Sequence, residues 1–63
     1  MKHKLYNIRG TRFANLGQLD TAISYYEKAL YIKPDYAVAH YNLGFTLQRL
    51  GQLDAAVRSY KKV

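Results

Sequence analysis

The sequence has no cysteine, no tryptophan and a single proline in its 63 residues. Without cysteine, neither a disulfide framework nor a thiolate metal site can hold the fold together. No apolar run approaches the ~18 residues of a membrane-spanning helix, and the basic N-terminus is not followed by the apolar stretch of a secretory signal. We therefore expect a cytoplasmic protein without a membrane segment, stabilised by internal packing or by a partner.

Acidic residues are also scarce. Four Asp and Glu stand against ten Lys and Arg, for a net charge of +6, while 49% of the residues are apolar. This composition indicates one small globular domain over residues 1–63. The positive charge would suit a nucleic acid or another polyanion, but no recognised nucleic-acid motif accompanies it. Polyanion binding is therefore the least favoured of three functions that we consider. The basic residues concerned lie near the two ends of the chain: Lys2, Lys4, Arg9, Arg12, Arg58, Lys61 and Lys62.

One segment of five residues occurs twice. Residues 16–20 read Leu-Gly-Gln-Leu-Asp, and residues 50–54 repeat it letter for letter, an offset of 50 − 16 = 34 residues. In the same register Gly10 aligns with Gly44 and Tyr26 with Tyr60. A fixed period of this length indicates one supersecondary unit stacked on itself. We assign unit one to residues 3–36 and unit two, which is incomplete, to residues 37–63.

The periodicity of apolar residues predicts four helices and no strand. Gly17 and Gly51 are expected to end the first and third helices, and Pro34 to end the second. Asp20 is expected to cap the second helix or to complement its dipole. The fold class is therefore all-α, as two helix-turn-helix hairpins in tandem. The predicted helices span residues 4–16, 19–33, 36–50 and 53–63.

These positions resemble the tetratricopeptide repeat, whose unit carries W-x2-L-G-x2-Y, then A-x3-F, then P. Unit one reads Tyr6-x2-Arg9-Gly10-x2-Phe13, then Ala22-x3-Tyr26, then Pro34; unit two reads His40-x2-Leu43-Gly44-x2-Leu47, then Ala56-x3-Tyr60. The resemblance implies a right-handed α-solenoid and a non-catalytic module for protein–protein interaction. Arg9 stands where the family has a core leucine, so we expect that side chain to face water or a partner.

The resemblance also implies a binding surface for a protein or peptide segment, in the concave groove lined by the first helix of each unit. Three of its residues, Tyr41, Phe45 and Arg49, are spaced at i, i+4 and i+8 and form one stripe. Aromatic and arginine side chains are the ones that binding hot spots favour. The alternatives are an incidentally exposed aromatic residue or a contact with another copy of the chain. Carried over by position, the groove residues are Lys4, Asn7, Thr11, Asn15, Val38, Tyr41, Phe45, Gln48 and Arg49.

Little in the sequence suggests catalysis. The only imidazoles are His3, near the terminus, and His40, at a position where the repeat packs an aromatic residue. There is no glycine-rich phosphate loop, no paired-histidine motif and no acidic metal loop. We therefore expect no enzymatic activity, no cofactor and no metal.

The last predicted helix carries an apolar face that nothing later in the sequence covers. Solenoid repeats bury their faces on their neighbours, and about three are generally needed for stability. We therefore expect homo-oligomers that stack through this face and the start of the first helix, or that swap a hairpin at Gly17 or Gly51. An alternative function is self-assembly alone, without a separate ligand. The predicted self-association face consists of Leu53, Ala56, Val57, Tyr60 and Val63.

Overall fold

The chain folds into four α-helices in the computed structural model, which describes residues 2–63. Each helix packs on the next along the chain, α1 also touches α3, and α4 contacts α3 alone. Residues 2–63 contain no strand. The predicted all-α fold of two helical hairpins in tandem is confirmed. The helices are α1 (Lys2–Asn15), α2 (Leu19–Ile32), α3 (Ala37–Arg49) and α4 (Leu53–Tyr60).

Two helix boundaries differ from the prediction by more than one residue. α1 begins at Lys2, two residues earlier than expected, and the regular part of α4 ends at Tyr60 rather than at Val63. Beyond that point the amide of Lys62 donates to the Ser59 carbonyl, at 3.1 Å, and the amide of Val63 donates to the Tyr60 carbonyl, at 3.2 Å. Both bonds reach back three residues instead of four, so the chain tightens into the narrower turn that is common at helix ends.

The repeated five-residue segment builds the same turn in each hairpin. Gly17 and Gly51 take positive φ angles of 79° and 82°, which suit a residue without a Cβ atom. The amides of Gln18 and Gln52, one residue later, donate to the carbonyl five residues earlier, at 2.9 Å in both repeats. This is the Schellman arrangement, and it explains why glycine recurs at this position.

Asp20 has one of the two roles predicted for it. The N-cap of α2 is Gln18, and no side chain caps the helix. Asp20 instead lies in the first turn of α2, as Asp54 does in α4. A negative charge there complements the positive end of the helix dipole. The acid therefore acts through its charge and not as a capping ligand.

A short turn around Pro34 joins the two hairpins. His40, buried on α3, donates from Nε2 to the Pro34 carbonyl oxygen at 2.7 Å; the oxygen can only accept, so Nε2 carries the proton. Lys33 Nζ donates to Asp35 Oδ1 at 3.1 Å across the same turn. This hydrogen bond and the positive charge of Lys33 hold the pKa of the Asp35 carboxyl below its ordinary value. The hydrogen bonds of His40 and of Lys33 both lie at this junction, so His40 has a structural role there.

Within each hairpin a tyrosine ring packs directly on a glycine. A Cβ atom added to Gly10 would lie 2.6 Å from Cε1 of Tyr26, and one added to Gly44 would lie 2.9 Å from the ring of Tyr60. No larger residue fits at either glycine without a shift of the ring. Leu43 of α3 packs on the buried cluster that contains Tyr26, so the second repeat contributes to the core of the first.

Candidate binding groove

A groove of about 260 Å³ lies between α1 and α3. One wall carries small and polar residues of α1, and the other carries larger side chains of α3. Tyr26 of α2 also borders it. The residues around the groove are Thr11, Ala14, Asn15, Tyr26, Tyr41, Asn42, Phe45, Thr46 and Arg49.

Polar side chains between the two helices hold the floor of the groove in place. Asn42 Nδ2 donates to Asn7 Oδ1 at 3.0 Å, which ties α3 to α1. Thr11 Oγ1 donates to the Asn7 carbonyl at 3.1 Å and accepts a hydrogen bond from the Tyr26 hydroxyl at 3.2 Å. Among residues 2–63 no buried side-chain nitrogen or oxygen lacks a partner. A satisfied network of this kind keeps the two walls at a defined distance.

Arg49 is anchored at one end of the groove. One of its terminal nitrogens donates to the Ala14 carbonyl oxygen in the last turn of α1, at 3.1 Å. A guanidinium carries five N–H donors in a fixed plane, so this single bond orients the group and leaves donors for a ligand. Arg49 therefore presents a preoriented positive charge beside the groove.

Two aromatic side chains on the α3 wall are exposed. Tyr41 is 53% exposed and Phe45 is 50% exposed. Together with Arg49 they form the predicted stripe, and all three border the same groove, opposite Thr11 and Asn15. The arrangement offers apolar surface, an oriented cation and hydrogen-bonding side chains within one cleft, which is the usual composition of a binding site.

The structure places the four other predicted groove residues elsewhere. Asn7 is buried, and its side-chain oxygen accepts a hydrogen bond from Asn42. Gln48 accepts a hydrogen bond from the Tyr60 hydroxyl at 2.9 Å and does not border the cleft. Lys4 and Val38 are exposed but lie outside the lining.

Four residues that do border the groove were not predicted: Ala14, Tyr26, Asn42 and Thr46. Asn42 follows Tyr41 and precedes Phe45 by three residues, so a helical wheel extended by one position would have included it.

The predicted self-association face is narrower in the structure. Leu53, Val57 and Val63 are exposed, whereas Ala56 is 2% exposed and Tyr60 packs on Gly44. Ala56 and Tyr60 are spaced at i and i+4 on the side of α4 that faces α3, and this pair is centred about 60° around the helix from the pair Leu53 and Val57. The exposed part of α4 therefore excludes these two residues.

Two other features are absent from the described residues. Among residues 2–63 no group of three or more His, Asp or Glu side chains comes together in a way that could hold a metal ion. No helix in this part of the chain combines the length and the apolar character needed to cross a membrane.

The fold defines a helical-repeat protein, and the comparison with known proteins identifies the family. The family model described as TPR repeat matches residues 10–51, so the chain belongs to the tetratricopeptide repeat family. Repeats of this family are generally protein–protein interaction modules and are typically non-catalytic. The resemblance deduced from the sequence is confirmed.

Three curated proteins are similar to the chain. "Uncharacterized protein ycf37" of Guillardia theta is 37% identical over 59 residues, and the protein of that name from Pyropia yezoensis is 39% identical over 59 residues. Each alignment covers 94% of this chain and 33% of the relative. "Protein FlbA" of Caulobacter vibrioides is 32% identical over 53 residues, which is 84% of this chain and 9% of that protein. The chain thus spans about a third of the ycf37 proteins it matches.

Proposed function

We propose that the chain binds an extended protein or peptide segment in the groove between α1 and α3. The observation that carries this proposal is the pair of half-exposed rings, Tyr41 and Phe45, next to the anchored guanidinium of Arg49. Full burial of a large apolar side chain contributes about 1.5–3 kcal/mol, so covering the exposed half of each ring would contribute about 1 kcal/mol.

The remaining donors of Arg49 suit an acceptor on the ligand, either a backbone carbonyl or a carboxylate. On the opposite wall Asn15 can donate to and accept from the ligand's main chain, whereas Thr11, whose proton is donated to the Asn7 carbonyl, can only accept. Because α1 and α3 are already joined through Asn7 and Asn42, the groove exists before the ligand arrives. Binding to a preformed site avoids the entropy cost of ordering it.

The test is affinity selection from a peptide library, followed by titration of the selected peptides against point variants. Phe45→Ala and Arg49→Ala are expected to weaken binding at least about tenfold, as for hot-spot residues. The matched control is Tyr31→Ala, since Tyr31 is an aromatic residue of α2 that is 89% exposed and lies outside the groove. Unchanged affinity in Phe45→Ala, with helicity preserved, would contradict the groove proposal.

A second candidate function, self-association, has its own supporting observation. In the 34-residue register Leu53 and Val57 of α4 correspond to Leu19 and Ile23 of α2, the helix on which α3 packs. The α2 residues are half-buried, while their α4 counterparts are exposed. α4 therefore presents to solvent the counterparts of two residues that are half-buried on α2.

The start of α1 offers a matching surface. Leu5 and Ile8 are exposed, and in the same register they correspond to Ala39 and Asn42 of α3. Ala39 is fully buried and Asn42 bonds to α1. We infer that α1 of one copy packs on α4 of another much as α3 packs on α2. Such a contact is head-to-tail and gives rings or filaments, depending on whether it closes.

Sedimentation equilibrium over a wide concentration range, with helicity recorded on the same samples, tests self-association. The mass is expected to rise with concentration and to return towards the 7.3 kDa of one chain in Val57→Lys. Tyr31→Lys adds the same charge to α2 and is expected to associate like the natural sequence. A helical monomer at every concentration would contradict this second function and leave the groove unaffected.

A further inference from the structure

A second, larger pocket of about 630 Å³ opens between the end of α2, α3 and α4. It uses a different side of α3 from the groove, and the two cavities share no residue. Its volume falls within the 300–1,000 Å³ that is typical of ligand pockets. The residues around it are Leu30, Pro34, His40, Leu43, Leu47, Ala55, Arg58, Ser59, Lys61 and Lys62.

The first repeat fills the corresponding positions with aromatic rings. Phe13 and Tyr25 are stacked, with ring centres 5.4 Å apart and planes within 6° of parallel. The ring centre of Tyr6 lies 6.1 Å from that of Tyr25. The Lys28 ammonium sits 5.1 Å from the centre of the Tyr25 ring, in the range of a cation–π contact. Tyr25 is thus the central ring of a small aromatic cluster.

In the second repeat that central ring is missing. The 34-residue register aligns Tyr25 with Ser59, Phe13 with Leu47 and Tyr6 with His40. Ser59, Leu47 and His40 all border the second pocket. The pocket therefore exists in large part because a serine stands where the first repeat has a tyrosine.

The charges around this pocket all have one sign. Arg58, Lys61 and Lys62 border it, and no aspartate or glutamate does. Lys62 is the counterpart of Lys28, the lysine that covers the Tyr25 ring in the first repeat. The interior is apolar, with Leu30, Leu43 and Leu47 facing the cavity. An apolar floor beneath a positive rim complements a ligand that is both aromatic and negatively charged.

We propose that this pocket binds an aromatic side chain carried by an acidic peptide segment. The ring would lie against Leu43, Leu47 and Ser59, in the place that Tyr25 takes in the first repeat. Carboxylates on either side of it would meet the cations of the rim, chiefly Arg58 and Lys62. The site is independent of the groove between α1 and α3, and the peptide is a second ligand and not an alternative one.

A tryptophan-containing probe makes the test direct. The chain has no tryptophan, so emission from a short capped peptide with one tryptophan between two pairs of glutamates reports on the peptide alone. Binding is expected to shift the emission to the blue and to weaken with salt. Replacing the tryptophan with alanine, or the glutamates with glutamine, should weaken binding at least about tenfold, the alanine peptide being followed by competition.

Substitution of Ser59 separates this site from every other. Ser59→Tyr introduces the ring that the first repeat carries and is expected to abolish binding with helicity retained, whereas Ser59→Ala should bind as the natural sequence does. If Ser59→Tyr does not fold, Lys62→Glu serves instead, since it reverses one rim charge at an exposed position. Phe45→Ala, in the groove, should leave affinity for this peptide unchanged.

Three results would overturn the inference. Equal affinity in Ser59→Tyr or Lys62→Glu would mean that the peptide binds elsewhere, and loss of binding in Phe45→Ala alone would assign it to the groove. Absence of binding, with a solution mass that falls in Ser59→Tyr, would assign the pocket to a second copy of the chain. None of these outcomes depends on whether the groove binds its own ligand, so the two proposals succeed or fail separately.

Discussion

The two repeats make the same contact between a tyrosine and a glycine, but the tyrosine is held more tightly in the first. Tyr26 is 2% exposed, while Tyr60 is half-buried. The difference arises because α3 adds Leu43 to the cluster around Tyr26, whereas α4 contacts α3 alone. A repeat of this kind draws part of its stability from the neighbour that follows it.

The hydroxyls of the two tyrosines also find different partners. Tyr26 bonds to Thr11, and Tyr60 donates to Gln48, which is one turn further along the first helix of its repeat. In the 34-residue register Phe45 replaces Thr11, and Gln48 replaces Ala14. The second repeat can therefore place an aromatic ring in the groove without leaving its tyrosine hydroxyl unpaired.

Truncation of each of the two tyrosines should show the largest difference in stability between the repeats. Truncating a buried aromatic residue costs about 3–5 kcal/mol, close to the whole stability of a domain this small, so Tyr26→Ala is expected to unfold the chain. Tyr60→Ala should cost about half as much, since its ring is already partly in water. Urea denaturation followed by circular dichroism measures both, and equal losses would show that the repeats are equally supported.

The glycines beneath these rings should give the next largest difference. Gly10→Ala forces a methyl group against the buried ring of Tyr26, and such overpacking costs about 1–3 kcal/mol. The better helix propensity of alanine returns about 1 kcal/mol. Tyr60 has more room to move, but the added Cβ would also lie 3.2 Å from the Ala56 carbonyl oxygen, so Gly44→Ala should cost less than Gly10→Ala without being neutral. A larger loss of unfolding free energy in Gly44→Ala than in Gly10→Ala would contradict the idea that the second repeat is less tightly packed.

The hydroxyl partners should show a smaller effect in the same direction. Thr11→Val removes the partner of a buried hydroxyl and is expected to lower the free energy of unfolding by about 1 kcal/mol. Gln48→Leu removes the partner of the exposed Tyr60 hydroxyl. Because water can replace that partner, the substitution should lower the free energy of unfolding by only about a few tenths of a kcal/mol. Thermal melts of both variants provide the measurement, and the reverse order would contradict the assignment of the two bonds.

The junction between the repeats should contribute least. Because the pKa of Asp35 is lowered by Lys33, its stabilising contribution is present above the unfolded pKa of about 4 and is lost as pH falls through the lower folded value. Asp35→Asn should therefore have a slightly lower melting temperature than the natural sequence at pH 7, with the difference disappearing at acid pH. A difference that persists at pH 2 would point to another cause.

Local features of the fold were predictable because each depends on a few neighbouring residues. The turns at Gly17 and Gly51 follow from the φ angle that glycine allows, and the end of α2 at Ile32 follows from the proline two residues later. The composition of the surfaces was less predictable. Asn7 was assigned to the groove and Ala56 to the open face of α4, yet both are buried against neighbouring helices.

The second pocket illustrates what sequence comparison alone does not reveal. The alignment of Ser59 with Tyr25 is visible in the sequence, but it has no consequence until Leu30 of α2 and Leu43 of α3 close the space around it. Similarly, the spacing of Arg49 places it on the stripe, whereas its bond to the Ala14 carbonyl requires α1 to lie alongside α3.

The sequence was sufficient to establish the period, the four helices, the turns and the family, because helix periodicity and backbone geometry at glycine and proline are local properties. The packing of the helices established which polar side chains have hydrogen-bond partners within the fold, which apolar side chains remain exposed and where the two cavities lie. Those outcomes depend on the distance and rotation between helices, which are set by side chains far apart in the chain, such as Asn7 with Asn42 and Ala14 with Arg49.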